Sequence, residues 1–149
     1  MPRILHLLDS LSSPPPPALL ALVADLVAGD KHNAHRVWAV GPAIDPDEAC
    51  RLGLSLQRQV HWPSARTWPL AAGLLRRRLA RENGFDQLLA WSPLAGAIGA
   101  LAAPGRTAVA SCLPARPGPL ARRVLARGRI PFLTLTPDGK GCGLGRGRG

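Results

Sequence analysis

Short apolar, β-branched runs alternate with longer Ala/Leu-rich segments along almost the whole chain, and each kind keeps its own period. The run from Ile4 to Leu8 has strand length and is apolar on both faces but for His6. Leu19, Leu22, Val23, Leu26 and Val27 then recur at helical spacing, and Gly29 supplies a C-terminal stop. "HRVWAVGP" predicts a second strand ending at Gly41, "DPDEACRLG" a short helix with Asp45 as cap and Pro46 in its first turn, and "LSLQRQVHW" a third strand. The spacing predicts a helix from Pro69 to Asn83, stopped by Gly84, with Leu70, Leu74, Leu75 and Leu79 as its buried side and Arg76, Arg77 and Arg81 away from it. "FDQLLAWS", "RTAVASCL" and "IPFLTLTP" read as strands four to six, separated by helices in "PLAGAIGALAA" and "PLARRVLARG".

Strands alternating with helices describe a βαβ series, whose right-handed crossovers give an open parallel sheet of about six strands with helices on both faces. In such a sheet ligands bind beyond the carboxyl ends of the strands, where strand order reverses. For the order 3-2-1-4-5-6 that point lies between strands one and four. The two loops that would line it are "DSLSSPPPP" and "AWSPLAG".

With 149 residues the chain is long enough for one domain with a substantial core. Residues 1–137 form that expected domain, and the Gly/Arg-rich tail 138–149, which has no apolar periodicity, is expected to be flexible. The formal charge of +10 comes almost wholly from arginine, since Lys31 and Lys140 are the only lysines. Such a balance fits a polyanion partner, and it equally fits the scattered arginines of an Arg-, Ala-, Pro- and Gly-rich composition. Cys50, Cys112 and Cys142 are an odd, widely spaced set without a CxxC pair, which argues against a disulfide framework and against a zinc site. A reducing compartment, the cytoplasm, is the expectation. No apolar run approaches the ~20 residues needed to span a bilayer, so no transmembrane segment is expected.

"RILHLLDSLS" followed by a helix, then "HRVWAVGP", "RLGLSLQRQV", "FDQLLAWSPLAGAIGALAA" and "RTAVASCL", resembles the N-terminal, acceptor-side domain of family 4 glycosyltransferases of the GT-B type. The likeness runs from about Arg3 to Thr136. It implies a Rossmann-like domain that receives a sugar or lipid-linked acceptor and works with a second domain, or a separate chain, that binds the nucleotide-sugar. The implied chemistry is hexosyl transfer to a hydroxyl without a metal or other cofactor. Three departures bear on it. The glycine pair of the family's first loop is replaced by Ser12, Ser13 and Pro14 to Pro17, and proline has no amide hydrogen to offer a phosphate. Of the family's "HAH" or "HAW" pattern at the end of strand four, Leu89, Ala90 and Trp91 keep the tryptophan version and lose the first histidine. Because a donor half is missing from these 149 residues, transfer by this polypeptide alone is not expected.

Asp9 and Ser10 end the first strand at the expected crevice, either to bond an acceptor hydroxyl or to serve the turn and cap that follow. Trp91 and Ser92 end the fourth strand beside them, and the tryptophan either stacks on a sugar ring or packs between helix and sheet. "VHWPSARTWP" brings His61, Trp62, Arg66 and Trp68 into one loop, a mixture suited to a polar or anionic acceptor and also to anchoring a long loop. These residues make the expected acceptor set: Asp9, Ser10, His61, Trp62, Arg66, Trp91 and Ser92. No catalytic residue is assigned. His6 lies inside the first strand and reads as a packed core histidine, and Cys112 as a small buried hydrophobe. The alternative to the acceptor role is a basic binding module for nucleic acid or another polyanion, served by the arginines and the Gly/Arg tail.

Overall fold

The computed structural model describes residues 1–10, 17–41, 46–51, 56–60, 65–82, 84–105, 107–113, 132–134 and 143–145, together with Pro119 and Arg123. Strand β1 (Arg3–Asp9) leads into helix α1 (Pro17–Gly29), then β2 (Ala34–Val40), α2 (Pro46–Arg51) and β3 (Leu56–Val60). A 3-10 turn at Ala65–Thr67 opens α3 (Trp68–Arg81), followed by β4 (Gln87–Ala90), α4 (Pro93–Ala102) and β5 (Ala108–Leu113). Two short strands, β6 (Phe132–Thr134) and β7 (Gly143–Gly145), complete the series. The expected helix in "PLARRVLARG" falls almost wholly outside the described residues.

The fold is α/β around a parallel sheet. Its strands run in the order β3-β2-β1-β4-β5-β6-β7, with β1 hydrogen-bonded to β2 on one side and β4 on the other. Strand order therefore reverses at β1, as in Rossmann-like sheets. Among the described strands β7 is antiparallel to its neighbour β6 and lies at the sheet edge.

A strand buried on both faces needs apolar residues at odd and even positions alike, and β1 meets that requirement. Leu5 and Leu7 join Trp38 and Val40 of β2 and Leu88 and Ala90 of β4 under α3 and α4. Leu8 joins Val37, Ala39 and Trp91 under Leu19, Leu20 and Val23 of α1 on the opposite side. Helices thus cover both faces of the sheet. The α4 side is tight: a Cβ built on Gly99 would come 2.8 Å from Leu88 Cδ2 and 3.6 Å from Leu7 Cδ2. The missing side chain is what lets α4 lie this close to β1 and β4.

Helix α3 corrects the expected buried side. Leu75 and Leu79 are buried with Ala71 and Ala72, whereas Leu70 is 57% exposed and Leu74 36%. The Ala-rich side of α3 meets α4, whose buried face is mostly Ala and Gly around Ile98, and such small side chains allow a closer approach than leucines would. Pro69 sits in the first turn, where its missing N–H goes unneeded, and Gly84 ends the segment at φ 79°. Gly41, at φ 114°, turns the chain away from the end of β2 in a conformation that side chains resist.

Candidate functional site

The carboxyl ends of β1, β2 and β4 meet at one rim. Beyond the last paired residues the ladders continue: the Ser10 amide donates to Val40 O at 3.0 Å, and the Trp91 amide donates to Leu7 O at 3.1 Å. These bonds hold Asp9 and Ser10 beside Trp91 and Ser92, as the strand order requires.

Ser92 caps α4. Its extended backbone (φ −150°, ψ 162°) directs Oγ to accept the Ala95 N–H at 2.9 Å, and Pro93 follows at the first helical position. The same hydroxyl donates to Asp9 Oδ2 at 3.2 Å. One serine oxygen therefore joins the tip of β1 to the start of α4, and the carboxylate lies at the positive end of the helix dipole. Ser10 Oγ donates to Val40 O at 3.2 Å, tying the tip of β1 to β2. Asp9 and Ser10 are buried, at 6% and 9% exposure, so a ligand would meet their outer edges at the rim.

Trp91 is placed differently from a sugar-stacking residue. It is 2% exposed, its ring packs with the α1 cluster, and its indole Nε1–H donates to His6 Nδ1 at 3.1 Å. The packing alternative holds for this residue, because a ring closed in by α1 and β1 has no face left for a ligand. Arg66 is exposed in the 3-10 turn before α3. His61 and Trp62 lie outside the described residues. Trp68, read as part of the same loop, is the first residue of α3 and packs partly against the core.

The polar chain that begins at Trp91 was not legible in the sequence. His6 Nε2 and His35 Nδ1 are 2.9 Å apart, and His35 Nε2 lies 3.2 Å from Asp30 Oδ2 in a bent contact off the N–H axis. Asp30 also accepts from Asn33 Nδ2 at 2.6 Å and from the His32 amide at 3.0 Å. His6 is fully buried, and that burial, with the neighbouring His35 adding to it, lowers its pKa from 6.5 to about 4. The Asp30 carboxyl is held below its ordinary value, chiefly by the Asn33 amide and then by the His32 N–H. The available signal was two histidines on strands that pair in parallel, with register Ile4 to His35 placing His6 diagonally across from it. Among the described residues no group of three or more His, Cys, Asp and Glu is arranged to hold a metal ion. Nor, among them, is any helix long and apolar enough to cross a membrane.

Fold and rim together define a Rossmann-like α/β domain with polar groups gathered at the β1/β4 crossover. No family model matches the chain, and no curated protein matches it. Among solved structures it is similar to an apo, histidine-tagged saccharopine dehydrogenase (L-Glu forming) from Saccharomyces cerevisiae, at 13% identity and a TM-score of 0.47. That likeness covers 90% of this chain, which spans 27% of the dehydrogenase chain.

Proposed function

We propose that the chain is the acceptor-side half of a GT-B type glycosyltransferase, a doubly wound domain of about six parallel strands that presents a hydroxyl-bearing acceptor to a donor domain supplied elsewhere. The observation that carries this reading is the Asp9–Ser92 contact at the crossover. It holds a carboxylate, a hydroxyl and a helix N-terminus at one rim, all able to bond sugar hydroxyls. The donor half, with its nucleotide-sugar site, would complete the cleft, and transfer of a hexose would follow there.

Amide NMR spectra of the full chain, titrated with millimolar glucose or N-acetylglucosamine, test the proposal. Shifts grouped at Asp9, Ser10 and Ser92 and abolished in Asp9→Ala support it. Shifts scattered over the surface, or none at the rim, overturn it.

Helix α3 favours a second reading. Arg76, Arg77, Arg78 and Arg81 are all exposed on it, a cationic surface suited to a polyanion. Binding of a single-stranded oligonucleotide that falls steeply with salt, and loses slope when Arg76 to Arg78 become glutamine, would mark this role. An affinity indifferent to those arginines would dismiss it.

A further inference from the structure

The four polar groups behind the rim admit a single arrangement of hydrogens. Trp91 Nε1 can only donate, so His6 Nδ1 must accept and carries no proton. Neutral His6 then holds its hydrogen on Nε2 and donates it to His35 Nδ1, which must also be bare. His35 is left with its hydrogen on Nε2, the atom that faces the Asp30 carboxylate. The His6 ring plane lies within 28° of His35 and 22° of Trp91, with centroids 5.1 and 5.9 Å away. Donation therefore runs one way, from the end of β4, through the middle of β1, to the start of β2, where His35 Nε2 lies 3.2 Å from Asp30 Oδ2 without a hydrogen bond.

The chain has no room for another proton. If His35 gains one on Nδ1, it opposes the His6 Nε2–H. If His6 then changes tautomer to receive it, its Nδ1–H opposes the indole N–H. Either way a buried donor faces a donor, which the low-dielectric interior penalises heavily. The geometry points to a proton-sensitive latch: uptake of one proton on His6 Nδ1 breaks the side-chain link from the Trp91 indole to β1, while the Trp91 amide keeps its bond to Leu7 O. This inference stands apart from any assignment of ligand to the rim.

The surroundings leave the pair few other charges to answer to. On β1, Arg3 lies over the Phe85 ring at 5.0 Å and Asp9 is engaged by Ser92, both away from the pair. On α1, the buried residues facing the sheet are Leu19, Leu20 and Val23, and its Asp25 is exposed. β4 has no ionisable residue, and β2 adds only Arg36 beside His35. The turn before β2 supplies Asp30, with Lys31 and His32 exposed next to it. Desolvation keeps His6 neutral well below the usual imidazole range, so the latch is closed at neutral pH.

Long-range proton–nitrogen NMR of the histidine rings in the full chain, from pH 7.5 to 4, is the test. At pH 7.5 both His6 and His35 should show a bare Nδ1 and a protonated Nε2. On acidification the His6 ring and the Trp91 indole N–H should move together in one step. A protonated His6 Nδ1 at pH 7.5, or a His6 titration that leaves the indole signal fixed, overturns the proposal. Trp91→Phe removes the opposing donor, so its His6 midpoint should rise above that of the unaltered chain, while burial still holds it below 6.5. A midpoint unchanged in that variant also overturns it, and should the variant fail to fold, the tautomers of the unaltered chain decide.

Discussion

Asp9 and Ser92 stand 83 residues apart in sequence and 3.2 Å apart in space, and the serine that reaches the carboxylate also caps α4. Replacing Ser92 with Ala removes both bonds at once. Loss of an N-cap costs about 1 kcal/mol, within a range of roughly 0.5–2. Urea denaturation should show that loss for Ser92→Ala and recovery of most of it for Ser92→Thr, which keeps an oxygen in the same place. Equal losses in the two variants would mean that packing, rather than the hydroxyl, holds the rim.

Two glycines in neighbouring helices should respond in opposite directions to the same substitution. Gly73 in α3 has open space where a Cβ would stand, so Gly73→Ala should stabilise by about 0.5–1 kcal/mol through helix propensity. At Gly99 the added methyl would meet the buried Leu88 side chain, and overpacking of roughly 1–3 kcal/mol should outweigh the same gain. A double-mutant cycle with Leu88→Ala reads the clash directly: the penalty of Gly99→Ala should shrink in that background.

Acid should weaken the fold through His6. Its folded pKa of about 4 lies below the unfolded value of 6.5, so the unfolded chain binds the proton more readily. The stability is fully present above pH 6.5 and falls as the pH drops toward 4. At about 1.4 kcal/mol per unit, the whole window amounts to roughly 3 kcal/mol. Asp30, held below its ordinary value, adds a further loss in the same direction once the pH passes below the carboxylate range. Thermal denaturation of His6→Phe should show a flatter dependence between pH 6.5 and 4 than the unaltered chain.

The facing of α3 can be checked by truncating its leucines one at a time. Leu75 is fully buried, and Leu75→Ala should cost about 2–5 kcal/mol. Leu70→Ala and Leu74→Ala remove exposed side chains and should stay within about 0.5 kcal/mol of the unaltered chain in the same denaturation experiment.

Periodicity made the parallel sheet and the meeting of β1 with β4 legible, because Ile4–Leu8 and "FDQLLAWS" have strand character and the βαβ rhythm restricts their order. It misjudged Leu70 and Leu74, since a helical stripe of leucines shows where apolar residues lie but not that Ala71 and Ala72 would be chosen for close approach to α4. Asp9, Ser10 and Ser92 were readable as strand ends and caps. The His6 partnership with Trp91 was not, because it depends on the β1/β4 register and on which side of the sheet each ring takes. No local pattern near either residue carries that information.

β1 occupies the middle of the sheet although it is made long before one of its two neighbours. Trp91 leaves the ribosome 85 residues after His6, an interval of roughly 4 to 17 s at ordinary synthesis rates. During those seconds one long edge of an apolar strand has no ladder to join. In that interval α1 and β2 are the neighbours available to cover β1, and β4 comes later to enclose it.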